Sequence, residues 1–482
     1  MDQVDHFIAG RRVPSERREP KRSPVDGRLL AEVCIADAAL IDEAVRAAAA
    51  ALAGAWGDTV VEQRVEWLDR IAAAVDAAHE ELVGLEIDDT GKPLPIARQE
   101  IARVADNFRS FAAVVRRWRG EHHEVAVAGL GRFRHRVQRR PKGVVAAIGP
   151  WNVPLLTLSW KIAPALAWGN AVVAKPSQHT PRSALRLAQL ALQAGLPPGV
   201  LNVVHGGGSL LAAHDGVAAV TLTGSTDTGR DVLRAAAARI ADVALELGGK
   251  NAGVVFADAD FDAAMQGTLQ SCFRNSGQIC LATERLYVER PLYRRFVEAL
   301  AEGVSGFRLG EPRDPATTHG PLISHAHRAR VLAYYEQARA DGAQVVVGGG
   351  VPRMGGALDD GAWIEPTVWT GLPDAAAVNQ EEVFGPCVHV APFDAEAEVM
   401  ARARHPRYGL AAVLWTGDAG RVERLLPQID AGMVWVNSWL MRELDLPFGG
   451  MKQSGLGREG GLASIDFFTD ARCVVERLPQ PA

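Results

Sequence analysis

Cysteine is scarce and scattered in this chain: five in 482 residues, at positions 34, 272, 280, 387 and 473, with no CxxC pair among them. An odd count without paired spacing argues against a disulfide framework and against zinc, so no metal is expected, and it suits a reducing cytoplasm. A strong excess of one charge is missing too. The net charge is −5 and there is no lysine-rich tail, which leaves a nucleic-acid partner little electrostatic support. Long apolar runs are absent as well. The longest weakly charged stretch, GVVAAIGPWNVPLLTLSW (143–160), is broken by Gly149, Pro150 and Pro154, so no membrane span is expected. The start, MDQVDHFIAG, carries two aspartates where a secretory leader would have basic residues, so no such leader is expected.

What is present is an ordinary globular composition, 48% apolar and 23% charged, in a chain long enough for about three domains. The first 120 residues read mostly helical, with apolar spacing in AALIDEAVRAAAAAL, in VEQRVEWLDRIAAAVDAAHEELVGLE and in IARVADNFRSFAAVVRRW, a helix that Gly120 is expected to end. GRFRHRVQRRP then alternates Arg132, Arg134 and Arg136, which predicts a strand with one charged face. From residue 143 short β-rich runs (GVVAAIG, NAVVAK, VLNVVHG, AAVTLTG, VALEL) alternate with helical segments, and a second alternation runs from NAGVVF to GMVWVN. That rhythm predicts parallel βαβ units in two successive open α/β domains.

Taken singly, the chemistry-bearing residues leave their roles open. A G-x-G-x-x-G match at Gly455, Gly457 and Gly460 follows loop rather than strand, and only 22 residues come after it, so it does not fit a dinucleotide fingerprint. TLTGSTDTG is the better phosphate candidate: Gly224 and Ser225 stand where a β-run meets a helix N-terminus, although a serine cap explains Ser225 as well. Lys175 closes the run VVAK, where ligands gather in α/β sheets but where solvated lysines are also common. Glu246 interrupts an apolar run ahead of Gly248 and Gly249; buried, it would be a general base, and on an edge strand it would face water. Asn152 between two prolines suits an oxyanion donor or a turn. Cys280, after FRNSGQI, is a nucleophile or a small buried hydrophobe.

Their order is specific where the single motifs are not. PWNVP, KPS, TGSTDTG, ELGGK, FRNSGQIC, EEVFGP and LPFGGMKQSGLGRE follow one another in the sequence of motifs that marks the aldehyde dehydrogenase superfamily, and the resemblance runs from FIAGRRV to FFTD. It implies a Rossmann-like cofactor domain (1–120 and 142–247), a catalytic domain (248–436) and a small β arm (121–141 and 468–482) through which subunits pair as a homodimer or homotetramer. Cys280 is then the nucleophile, Asn152 with the backbone N–H of Cys280 the oxyanion site, and Glu246 the base that activates water to release a carboxylic acid.

The same resemblance places Lys175 and Gln178 at the adenosine ribose, Ser225 at the pyrophosphate, and Glu382 with Phe384 at the nicotinamide end. Ile148, Pro150, Trp151, Ser177, Gly208, Gly224 and Leu247 complete the implied cofactor set. Gln178 departs from the glutamate often found there in NAD-preferring members. Glutamine can hydrogen-bond a 2′-hydroxyl but repels no 2′-phosphate, so NAD is expected with NADP not excluded. NSWLMRELDLPFGGMKQSGLGREG resembles, more narrowly, the 2-hydroxymuconic and 2-aminomuconic semialdehyde dehydrogenases, whose substrates carry a carboxylate. Arg442 and Arg103 match positions that would bind it, with Trp160 beside them, although salt bridges to Glu443 or Asp445, and to Glu100 or Asp106, are the plain alternatives. A general aliphatic or amino-aldehyde dehydrogenase, a non-redox cysteine esterase and a non-catalytic binding protein are the competing readings.

Overall fold

The structure, a computed structural model, describes residues 2–404 and 407–479; residues 480–482 of the expected arm lie outside them. Its largest sheet has eight strands in the order Gly455–Leu456, Asp242–Glu246, Ala219–Thr223, Val144–Ile148, Ala171–Lys175, Leu201–Val203, His6–Ile8, Arg11–Val13. The five from Asp242–Glu246 to Leu201–Val203 run parallel. Helices cover both faces of such strands, which is why VVAAI and AVVA read as unbroken apolar runs and are buried throughout. Val144–Ile148, first of the five in the chain, lies between Ala171–Lys175 and Ala219–Thr223. The strand order reverses there, and the crevice beyond the strand ends at such a point is where open α/β sheets bind ligands.

A second sheet of seven strands is ordered Gln344–Val347, Thr367–Thr370, Cys387–Phe393, Thr283–Glu289, Asn251–Val255, Ala411–Trp415, Met433–Val436. All its pairings are parallel except the first, between Gln344–Val347 and Thr367–Thr370. The strand expected from the alternating arginines is Gly131–Pro141. It is the centre of a three-stranded antiparallel sheet with Glu121–Val127 and Thr469–Arg477. The α/β class and its two parallel alternations are as the sequence predicts.

The N-terminal region differs from expectation. Five strands occupy residues 2–34 ahead of the first helix, each only three to six residues long, too short for a period to show in sequence. The second helical stretch is two helices, Val61–Ala77 and His79–Thr90, broken at Ala78. The next, Leu94–Arg117, stops before Gly120 because Trp118 turns extended and stacks edge-on against Trp168, ring centroids 6.4 Å apart. Among the described residues no helix is long and apolar enough to cross a membrane, and no group of three or more His, Cys, Asp or Glu could hold a metal ion.

Candidate active site

A cavity of about 800 Å³ opens at the carboxyl ends of the large sheet's strands and reaches the loop ahead of Thr283–Glu289. Cys280, Asn152 and Glu246 line it, and so do Ile148, Pro150, Trp151, Lys175, Ser177, Gly224, Ser225, Leu247, Glu382, Phe384, Arg103, Trp160 and Arg442. Two residues of the expected set stand outside its wall. Gly208 backs Lys175, with a Cβ there falling 3.4 Å from the lysine Cδ, and Gln178 donates its amide to Glu19 at 3.2 Å.

The sequence before Cys280 is a bent turn rather than a helix continuation. Asn275, Ser276 and Gly277 all have positive φ (52°, 54° and 71°), and a Cβ on Gly277 would lie 2.0 Å from the Gly385 carbonyl oxygen, so only glycine fits there. Side chains hold the turn: Ser276 Oγ donates to the Gly320 carbonyl at 2.7 Å, and the Gln278 amide oxygen accepts from Ile323 N–H at 2.9 Å. Asn251 Nδ2 donates to the Cys280 carbonyl at 2.7 Å. Burial, with the Glu382 and Glu246 carboxylates, pushes the Cys280 thiol up to about 12. At neutral pH it is a thiol and needs a base to become a nucleophile.

Asn152 is buried, and its Nδ2 donates to the Gln278 carbonyl at 2.9 Å. An amide nitrogen has two hydrogens, so one remains for an oxyanion. The Asn152 carbonyl is itself held, by Asn275 Nδ2 at 3.1 Å and by the Lys92 ammonium at 3.3 Å. Lys92 is fully buried between Glu86, at 3.5 Å, and Glu100.

Glu246 does not face water. Although it ends its strand, the strand Gly455–Leu456 pairs over that edge, with Glu246 opposite Gly455, and Glu246 is 5% exposed. Its Oε2 has no hydrogen-bond partner. Burial and the neighbouring Glu459 carboxylate raise it well above the usual carboxylate range, with Lys161, Arg442 and Arg458 opposing. Lys161 reaches Glu459 at 2.5 Å and Thr221 Oγ1 at 3.1 Å. The segment that fails as a dinucleotide fingerprint therefore supplies Glu459 and a covering strand. Nothing local in the sequence marked Lys161, on the helix Pro154–Ala167, as part of this group.

Arg442 pairs with neither expected acid: Asp445 is taken by Arg117 at 2.7 Å, and no ion pair of Arg442 occurs among the described residues. Its guanidinium carbon lies 3.6 Å from the Trp160 ring centroid and 4.3 Å from that of Phe448. Nε and Nη1 are buried without partners. Burial lowers it to about 10, so it stays charged at neutral pH. Arg103 likewise makes no ion pair among the described residues, because Glu100 is held by Lys92 and Asp106 by Arg109 at 3.6 Å.

At the opposite end Ser225 caps the helix Thr226–Ala237, accepting from Thr228 N–H at 3.2 Å. The cap reading is therefore realised, with the helix N-terminus still on the cavity wall. Lys175 makes no ion pair among the described residues, and burial lowers its pKa. Glu382 accepts from Gly249 N–H at 3.0 Å, and burial together with Glu284 pushes it up to about 8. Its carboxylate occupies the space a side chain on Gly248 would need, since a Cβ there would lie 2.3 Å from Oε2. Phe384 has φ 59°, held by Glu284, which accepts the N–H groups of Val383 (3.0 Å) and Phe384 (2.9 Å), and by Trp151, edge-on at 5.3 Å.

The chain has relatives in sequence and in fold. A 2-hydroxymuconic semialdehyde dehydrogenase of Pseudomonas sp. (strain CF600) is 48% identical over 99% of this chain and 100% of its own length. A 2-aminomuconic 6-semialdehyde dehydrogenase of Pseudomonas sp. is 46% identical over 99% of both. The crystal structure of PnpE in complex with nicotinamide adenine dinucleotide superposes with a TM-score of 0.95 at 39% identity, over 100% of this chain and 99% of that one. The family described as the Aldehyde dehydrogenase family matches residues 12–474. With likeness running nearly end to end in both sequence and fold, the chain belongs to the aldehyde dehydrogenase family.

Proposed function

We propose that this protein oxidises a carboxylated, unsaturated semialdehyde to the acid, with NAD as hydride acceptor and Cys280 as nucleophile. Glu246 takes the Cys280 proton, and the thiolate adds to the aldehyde carbon. The carbonyl pair moves onto oxygen, where the free Asn152 N–H and the Cys280 backbone N–H receive it; one such donor is typically worth about 10²–10³ in rate. NAD bound along the cavity supplies the acceptor for the hydride that leaves the tetrahedral carbon with its electron pair, so that a thioester to Cys280 remains. Glu246, once its proton has passed to solvent through the cavity, then takes one from water. The new C–O bond forms, the C–S bond breaks, and the acid departs.

The residues fit a dinucleotide. The Gly224–Ser225 turn and the helix N-terminus suit a pyrophosphate, and Lys175 is a cation without a counter-ion among the described residues. Glu382 lies in the space kept open by Gly248, where it can accept from ribose hydroxyls. PnpE was solved with this dinucleotide. In this reading residues 1–120 and 142–247 form the cofactor domain and 248–436 the catalytic domain. The arm sheet, with Val125, Val127, Leu130 and Val475 exposed, pairs with another copy into a dimer or tetramer. The five free cysteines suit a cytoplasmic setting.

One observation carries the substrate class: Arg442, a buried cation that makes no ion pair among the described residues, lines the cavity. An unpaired buried charge is costly, and a substrate carboxylate accepting bidentately would satisfy it; Arg103 stands on the same wall. The relatives' names, 2-hydroxymuconic and 2-aminomuconic semialdehyde, describe aldehydes of this kind. The test is NADH formation with 2-hydroxymuconic semialdehyde and with a neutral aldehyde of similar length. A strong preference for the first supports the reading. Equal turnover returns the substrate to the general aldehyde class, and (thio)ester cleavage with no NADH formed from either aldehyde would make the protein a hydrolase.

A further inference from the structure

Arg274 lines the same cavity as Arg442 and Arg103 and, like them, makes no ion pair among the described residues. It stands where the helix Phe261–Phe273 stops, on the loop that leads to Cys280. Its Nη2 donates to Gln99 Oε1 at 2.5 Å. Gln99 and Arg103 lie four residues apart on the helix Leu94–Arg117, so they share one face, a turn apart. Gln99 thereby holds the Arg274 guanidinium next to Arg103. Burial lowers the pKa of Arg274, Glu100 opposes, and Arg103 lowers it further. Arg103 acts in the same sense on Arg442, after burial and against Glu459. Arg103 is thus the shared neighbour in a row of three guanidinium groups, and Arg442 is the member that acts on the Cys280 thiol. The acids nearest the row are already engaged, Glu100 with Lys92 and Glu459 with Lys161.

We propose that Arg274 is a specificity-determining residue: it donates to an oxygen on the carbon next to the substrate carboxylate, and so selects a 2-hydroxy or 2-oxo acid head over a 2-amino one. The proposal rests on the carboxylate site described above. A lone carboxylate is served by the two arginines already assigned to it, whereas a third donor further along the wall suits a head group with one more acceptor. A guanidinium has N–H donors and no acceptor. A hydroxyl or keto oxygen accepts from it. An amino group instead presents N–H donors to it, and a like charge when protonated. Hydroxyl and amino groups are close in size, so the selection comes from donor chemistry, and a site built to hydrogen-bond one group rejects strongly the analogue that leaves its donor unpaired. The two relatives differ in name at this same substituent, 2-hydroxy in one and 2-amino in the other.

Hexanoate, 2-oxohexanoate and 2-aminohexanoate carry no aldehyde and probe the head group alone. Their dissociation constants are read from quenching of tryptophan fluorescence, since Trp160, Trp435 and Trp439 line the cavity. 2-Oxohexanoate is expected to bind about tenfold more tightly than hexanoate, the usual scale for one hydrogen bond from a charged donor, and 2-aminohexanoate more weakly than either. Arg274 is half-buried and Gln99 is exposed, so substitution of Arg274 leaves the core intact. Arg274→Met is expected to remove the advantage of the oxo group while hexanoate binding changes little. Arg274→Lys, which keeps a charge and a donor, should retain part of it. The ratio of kcat/KM for 2-hydroxymuconic over 2-aminomuconic semialdehyde should fall about tenfold in Arg274→Met. Equal binding of hexanoate and 2-oxohexanoate by the wild-type protein, or an equal loss of both in Arg274→Met, overturns the role of Arg274 while leaving the carboxylate site standing. Hexanoate binding unaffected by Arg442→Met would instead remove the carboxylate site, and this inference with it.

Discussion

The Lys161 ammonium lies 2.5 Å from a Glu459 carboxylate oxygen, both residues are buried, and the negative charge of Glu459 raises the pKa of Glu246. A base whose charge is opposed in this way works only where the pH overcomes that opposition. In the proposed mechanism the carboxylate form is the active one, so kcat is expected to rise with pH through an inflection well above the ordinary carboxylate range. Glu459→Gln removes a like charge and leaves Lys161, and both changes favour ionised Glu246. The inflection should then move to lower pH by about one unit. A pH–kcat profile of the two proteins decides it, and an unmoved inflection would separate Glu459 from the base.

Removal of the thiol isolates the chemistry from the binding. Cys280→Ala is expected to abolish oxidation while cofactor binding stays as in the wild-type protein, read by single-turnover NADH formation and by dinucleotide titration. Asn152→Ala should keep the nucleophile and lose about 10²–10³ in kcat. Near-normal oxidation by the Cys280 variant would sink the mechanism.

Arg442→Met separates stability from function. The guanidinium lies over Trp160 and Phe448 and makes no ion pair among the described residues, and methionine fills such apolar gaps well. The variant is expected to match or exceed the wild-type Tm, because an uncompensated buried charge is gone. Its KM for the carboxylated aldehyde should nonetheless rise at least about tenfold, with the loss of a charge-assisted hydrogen bond, while KM for a neutral aldehyde of similar length barely changes. An equal effect on both aldehydes would take Arg442 out of the substrate site.

Lys92→Met has the opposite character. It leaves Glu86 and Glu100 buried without their shared cation, a loss of about 3–5 kcal/mol, and takes one hydrogen bond from the Asn152 carbonyl. A clear fall in Tm is expected, and Lys92→Met with Glu100→Gln should recover part of it. Denaturation curves of the two variants test this.

Gly248→Ala should act on the cofactor end alone. The new methyl would fall within 2.3 Å of Glu382 Oε2, so the carboxylate must swing away from Gly249. KM for NAD should rise about tenfold, the usual scale for losing a hydrogen bond to a charged group, while ester cleavage by Cys280 without cofactor is retained. Loss of that cleavage as well would mean that the substitution disturbs the thiol loop.

The amino-acid sequence by itself determined the alternation of strands and helices, because period and turn chemistry are local. It also offered Cys280, Asn152 and Glu246 as candidates, to which only the order of the motifs around them, through its resemblance to the aldehyde dehydrogenases, attached roles. Other features were out of its reach. The strands of residues 2–34 are too short to carry a period. Glu246 read equally as an edge or a buried residue, and only the pairing of Gly455–Leu456 over its strand decided for burial. Arg442 read as a site for a substrate carboxylate with a salt bridge to Glu443 or Asp445 as the alternative, and only the fold shows that Arg117, more than three hundred residues away in the chain, holds Asp445. Lys161 with Glu459, and Gln178 with Glu19, are pairs 298 and 159 residues apart that no spacing rule connects. The division has one cause. Residue type and local geometry are written along the chain, whereas desolvation and the identity of a charge's partner exist only once distant segments have packed together, and those two quantities set the acidity and the specificity of this site.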